Sequence, residues 1–155
     1  CFIGERNFKN FLKNYLPNQP GDVVNIDTKE VIGKHVGLMN YTIGQRKGLG
    51  ISNPVPLFVL GFNSEKNEVV VGEEKDLYSE EIEVTDINLL LVDEINSWME
   101  VMIKTRYSAK EAKAKIKQVG KNIKVVFDEP QRAVTPGQSA VFYIDDIVLG
   151  GGKII

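Results

Sequence analysis

Hydrophobic and polar positions along this chain change their period once. Phe8, Phe11, Leu12 and Tyr15 fall at i, i+3, i+4 and i+7, one stripe of a helix face, and predict a short amphipathic helix over 4–15. Leu16-Pro17-Asn18-Gln19-Pro20-Gly21 ends it as a linker. Beyond it the period is that of β-strands. Residues 23–26 and 30–36 read as a hairpin around Asp27-Thr28-Lys29, and 57–62 and 68–72 as another, turned by 63–67. Short strands are expected at 82–84 and 87–91, on either side of Asp86.

From Trp98 the alternation sharpens. Met99, Val101, Ile103 and Thr105 share one face, and Glu100, Met102, Lys104 and Arg106 the other. Lys113, Lys115 and Lys117 then alternate with Ala112, Ala114, Ile116 and Gln118, so three lysines point one way. A turn near Gly120 leads into 123–127, Asp128-Glu129-Pro130-Gln131 reads as a chain break, and Thr135-Pro136-Gly137-Gln138 as a tight turn. Residues 139–144 and 147–149 form a last hairpin around Asp145-Asp146, and Gly150-Gly151-Gly152 suits a bulge or close packing. The expected fold is mainly β: a helical segment over 1–16, a small β domain over 17–75 and an antiparallel β-barrel over 76–155. Many short strands with regular turns suit a closed barrel, which leaves no free edge.

Charge is segregated along this chain, whose net charge is −2. Residues 61–100 hold twelve acids against two cations, whereas 101–155 hold ten cations against five acids. Within 101–127 eight cations face Glu111 alone. Such a segment is either a solvated lysine-rich hairpin or a basic face turned toward phosphates. Only Arg6, Arg46, Arg106 and Arg132 among nineteen cations are arginine, the residue whose planar fork suits phosphates and carboxylates. The run 41–51 carries Gly44, Gly48 and Gly50 around Gln45-Arg46-Lys47, where glycine lets a partner approach the main chain. It matches neither the phosphate loop of nucleotide hydrolases nor the dinucleotide fingerprint.

His35 is the only histidine and reads as a strand histidine hydrogen-bonded near the Gly37 turn; no Cys/His spacing suits a metal, so none is expected. Cys1 is the only cysteine, so no internal disulfide can form and a reducing cytoplasm is the expected home. No run approaches the ~20 apolar residues of a helical membrane span, and no membrane partner is expected. The chain begins at Cys1 and not at methionine, as a piece of a longer protein or a product of processing would. A lone cysteine is ordinarily a small buried hydrophobe.

Several of these motifs occur together and in order. They are Cys1-Phe2-Ile3-Gly4-Glu5-Arg6, Leu16-Pro17 with Pro20-Gly21, His35-Val36-Gly37-Leu38-Met39, the 42–51 loop and Lys104-Thr105-Arg106-Tyr107. Phe127-Asp128-Glu129-Pro130-Gln131-Arg132, Thr135-Pro136-Gly137-Gln138 and Leu149-Gly150-Gly151-Gly152 follow. The series resembles the C-terminal part of the bacterial tRNA-specific 2-thiouridylases, which replace the C2 oxygen of the wobble uridine by sulfur. The resemblance implies a barrel like the second domain of translation elongation factors. It also implies a preceding catalytic domain, whose Ser-Gly-Gly-x-Asp-Ser loop and first catalytic cysteine this chain lacks; 1–16 would be the end of that domain. ATP and Mg2+ would be bound there, and this chain alone would be inactive. By resemblance Cys1 is the cysteine that carries a persulfide, the partner is tRNA at its anticodon region, and Arg106, Tyr107 and Gln138 contact tRNA. Lys104, Lys113, Lys115 and Lys117 would add unspecific phosphate attraction. Gln45, Arg46 and Lys47 would contact tRNA or close the active site. A sulfur-relay protein or a cysteine desulfurase would load Cys1. Two other readings are a free-standing, non-enzymatic RNA-binding β-barrel protein, and a hydrolase with Cys1 as N-terminal nucleophile, which would need a layered α/β sandwich.

Overall fold

The structure, a computed structural model, describes residues 19–107 and 109–155, so the expected helix over 4–15 lies outside the described residues. The chain divides into two compact units that meet in sequence at Leu77 and Tyr78. Among the described residues, no helix is long and apolar enough to cross a membrane.

The first unit is a four-stranded sheet. β1 (Gly21–Asn25) and β2 (Val31–His35) form one hairpin, β3 (Phe58–Asn63) and β4 (Glu68–Gly72) the other. Parallel pairing of β1 with β4 joins them in the order β2-β1-β4-β3. Val23, Val59, Val69 and Val71, of β1, β3 and β4, are fully buried, and Leu49 and Leu57 join them in the core. His35 closes one end of this sheet. Its Nε2 lies 2.9 Å from the Asn67 carbonyl oxygen, and its Nδ1 accepts from the Gly37 N–H at 3.0 Å. The Asn67 side chain in turn donates to the Pro20 carbonyl. A Cβ at Gly21 would stand 2.0 Å from the Asn67 carbonyl oxygen, so only glycine fits beside this knot.

The second unit is a closed antiparallel barrel in the order β10-β5-β8-β7-β6-β9. Its strands are β5 (Tyr78–Leu89), β6 (Met99–Lys104), β7 (Ala112–Val119), β8 (Asn122–Arg132), β9 (Ser139–Ile144) and β10 (Ile147–Ile154). Val101 and Ile103 of β6, Ala114 and Ile116 of β7 and Ile123 and Val125 of β8 point inward, as their alternation requires. Phe142 and Leu149 fill the centre.

Two expected boundaries are corrected. Asp86 does not separate two strands, because β5 is continuous. Gly151 pairs with Asn88 and Lys153 with Thr85, so β5 carries one extra residue opposite Gly152. Asp86, at φ 50°, occupies this bulge, where a short polar side chain tolerates the left-handed conformation. Nor does Asp128-Glu129-Pro130-Gln131 break the chain. It lies within β8, where Ser79 pairs with Gln131 and Glu81 with Val126. Five positions of β8 thus span two of β5, and Pro130 falls where no β5 partner needs its missing N–H.

Gly150, Gly151 and Gly152 do pack closely. A Cβ at Gly152 would stand 2.4 Å from the Thr85 carbonyl oxygen, and one at Gly151 2.5 Å from that of Ala140. Gly152→Ala should therefore destabilise the barrel by about 1–3 kcal/mol, the usual cost of overpacking. The urea midpoint measures this, and an unchanged midpoint would mean that β10 can shift outward freely.

Candidate nucleic-acid interface

Arg106 and Tyr107 follow the last residue of β6, and Gln138 immediately precedes β9. β6 and β9 are neighbours, with Met102 opposite Tyr143 and Lys104 opposite Val141. The ladder ends at Lys104 and Val141, so Tyr107 and Gln138 leave this strand pair at the same end. Antiparallel pairing thus brings Arg106-Tyr107 and the sequence-distant Gln138 to one end of the barrel.

Each is held differently. Arg106 Nη2 donates to the Arg132 carbonyl at 3.1 Å, tying the end of β6 to the end of β8. The Ala109 N–H donates to the Arg106 carbonyl at 3.1 Å, which turns the chain sharply and leaves Tyr107 at the tip. Tyr107 is fully exposed, at 103% of its reference area, so its ring covers no core and is free to stack. Gln138 ends the Thr135-Pro136-Gly137-Gln138 turn, with Gly137 at φ 88°. Its carbonyl accepts from the Ile154 N–H at 2.8 Å, while its exposed side chain has no hydrogen-bond partner among the described residues.

A cleft of about 720 Å³ opens beside Arg106. Arg106, Lys110, Lys113 and Arg132 line it, with Glu111, Asp128 and Glu129 among them. Lys110 and Arg132 were not singled out by sequence reasoning as contacts. Arg132's scarcity value as one of four arginines was the available signal, but its place beside Arg106 depends on the non-local β8 pairing. Gln138 stands outside this cleft.

The basic stripe is less bare than its sequence. Lys104 lies 3.0 Å from Glu111 and 5.7 Å from the centre of the Tyr143 ring. The hydrogen bond to Glu111, and then its charge, push the Lys104 ammonium above its ordinary pKa. Lys115 faces Glu100 at 3.8 Å, and Lys124 reaches Glu81 at 2.7 Å. The acidic segment over 61–100 supplies these partners because β5 pairs with β8 and β6 with β7. Lys113 has no ion-pair partner among the described residues, and Lys117 stands opposite the like-charged Lys124.

Gln45, Arg46 and Lys47 belong to the first unit. The Gln45 side chain is used within its own loop: Oε1 accepts from the Thr42 N–H at 3.1 Å and Nε2 donates to the Lys47 carbonyl at 2.9 Å. Arg46 and Lys47 are exposed. Cys1 lies outside the described residues. Among the described residues no three His, Cys, Asp or Glu side chains come together as a candidate metal site.

If phosphates meet the barrel rim, Lys113→Ala should weaken RNA binding and lower the slope of log K against log[salt] by about 1. Lys104→Ala should lower it less, because Glu111 already offsets that charge. Fluorescence anisotropy with labelled tRNA across a salt series measures both, and equal slopes for the two variants would count against this ordering.

Two domain-family models match the chain in succession. Residues 9–73 match a tRNA methyl transferase PRC-barrel domain, and residues 79–154 an aminomethyltransferase beta-barrel domain. The tRNA-specific 2-thiouridylase MnmA of Acetivibrio thermocellus is 46% identical over 99% of this chain and 44% of its own length. Those of Clostridioides difficile and Mycoplasma capricolum are 44% and 47% identical, again over 99% of this chain and 43% and 44% of their own. The chain thus spans less than half the length of these relatives. With two β units that fit the C-terminal part of such proteins, it belongs to the tRNA-specific 2-thiouridylase family.

Proposed function

We propose that this chain is the persulfide-bearing and tRNA-binding part of an enzyme that thiolates C2 of the wobble uridine. The observation that supports this most is near-complete coverage of the chain, through both β units, by relatives named for that activity. Bound with Mg2+ outside this chain, ATP would give its adenylyl group to the C2 oxygen with release of pyrophosphate, which makes that oxygen part of an AMP leaving group.

The chemistry of Cys1 follows from its sulfur. A persulfide is more acidic than a thiol, so its terminal sulfur is anionic and nucleophilic near neutral pH. That sulfur bonds to C2, and the C2–O bond breaks with departure of AMP. A thiolate from a second cysteine, also outside this chain, then attacks the Cys1 sulfur. The S–S bond breaks, the thiolated uridine leaves, and a disulfide to Cys1 remains for a cellular dithiol to reduce. A sulfur-relay protein or a cysteine desulfurase reloads Cys1, and the cycle belongs to the cytoplasm.

The barrel rim holds the RNA while this occurs. Arg106 forks onto a phosphate, Tyr107 stacks on a base or donates to a ribose, and Gln138 pairs with a sugar or base edge. Phosphate contacts fix position, and the stacked or hydrogen-bonded base adds selectivity.

In the full-length protein, Cys1→Ala should abolish 2-thiouridine formation and leave tRNA affinity unchanged. Mass spectrometry of digested tRNA reads the first and anisotropy the second. Thiolation by Cys1→Ala would overturn the persulfide role. Loss of binding with retained fold would place Cys1 in RNA contact instead.

A further inference from the structure

Residues 31–64 contain no Asp or Glu, although the chain carries 21 acids. The cations of this run are Lys34, Arg46 and Lys47. Lys34 is paired with Asp22. The side chains of Arg46 and Lys47 are exposed and have no ion-pair partner among the described residues. Two adjacent uncompensated cations in an acid-free stretch repel one another, and a bound anion relieves that repulsion.

The loop that carries them is fixed in advance. The Gly44 N–H donates to the Val59 carbonyl at 2.7 Å, and the Val59 N–H to the Gln45 carbonyl at 2.9 Å, so the loop is sewn to β3. The Gln45 side chain spans it from Thr42 to Lys47. Leu49 is buried in the core of the first unit and anchors the far side. Gly48 at φ 76° and Gly50 at φ 71° bracket Leu49, and left-handed residues in turns gather backbone N–H groups into anion-binding concavities. No acceptor among the described residues takes the N–H of Gly48, Leu49 or Gly50. A cavity of about 190 Å³ opens there, lined by Arg46, Gly48, Leu49, Gly50 and Asn53 among others.

We propose that this loop is a preformed site for a backbone phosphate of RNA. Arg46 and Lys47 supply the charge, Gly48 and Gly50 supply neutral N–H donors, and Gln45 is a positioning residue that touches no RNA. A free phosphate would satisfy the same groups. The RNA backbone is the better occupant because the two cations are adjacent in the chain and both exposed, so successive phosphates of a strand can meet both. The inference rests on the tRNA reading for the identity of the anion alone.

Alanine at Gly50 meets no atom within 4 Å, yet the φ of +71° strains it. Alanine at Gly61 also meets nothing within 4 Å and carries no such strain, so it serves as the control. In the full-length protein, Arg46→Ala and Gly50→Ala should each weaken tRNA binding about tenfold, the loss of one charge-assisted contact. Gly61→Ala should bind as the unmodified protein does. Gln45→Ala should weaken binding too, but add nothing in an Arg46→Ala, Lys47→Ala background, since it acts through those side chains. An additive effect there would make Gln45 a direct contact and overturn its positioning role. Unmodified affinity in both Arg46→Ala and Gly50→Ala, with tRNA still bound, would overturn this site alone. Unchanged tRNA affinity in Arg46→Ala together with lost binding of inorganic phosphate would assign the site to free phosphate and overturn the strand as occupant. Failure of the unmodified protein to bind tRNA would overturn the site together with the broader reading.

Discussion

The barrel rim depends on how closely β10 approaches its two neighbours. β10 hydrogen-bonds to β9 on one side and β5 on the other, and it closes the sheet. At Gly151 and Gly152 the facing carbonyl oxygens of Ala140 and Thr85 occupy the space a side chain would need. Closure sets the pairing of β6 with β9, and that pairing brings Arg106, Tyr107 and Gln138 to one end of the barrel. A β-methyl on β10 would therefore act on that end of the barrel from a distance.

Closure also redistributes charge. The sequence separates an acidic block from a basic one, whereas antiparallel pairing places Glu81 against Lys124 and Glu100 against Lys115. Such exposed pairs contribute little to stability, usually below about 1 kcal/mol. Their larger effect is to remove lysines from the pool available to phosphates, which leaves Arg106 and Lys113 to carry more of the field at the rim. The 44–50 loop lacks this compensation, because no acid lies near it in sequence and none pairs with Arg46 or Lys47 among the described residues.

Much of the fold was legible because alternation is a local signal. Val101 and Ile103 turn inward and Lys113 and Lys115 outward as their period demands. What escaped was non-local. Asp86 resembles a turn residue in its own neighbourhood, and only β10 reveals it as a bulge. Pro130 resembles a strand terminator, and only the extra residues of β8 show why it is tolerated. The site divides the same way. Arg106, Tyr107 and Gln138 were named through a family resemblance, since nothing in their spacing places them on one rim. Lys104 was grouped with the other lysines because no local rule foretells its bond to Glu111. Gln45 was grouped with the cations beside it, yet both of its polar atoms are spent on the loop itself.

Hydrogen–deuterium exchange of the full-length protein, with and without saturating tRNA, tests the RNA contacts proposed for each unit most directly. The account predicts slowed exchange in peptides covering 104–110, 131–138 and 44–51, with the β10 core unchanged. Protection confined to other surfaces, with these three segments exchanging as in the free protein, would contradict it.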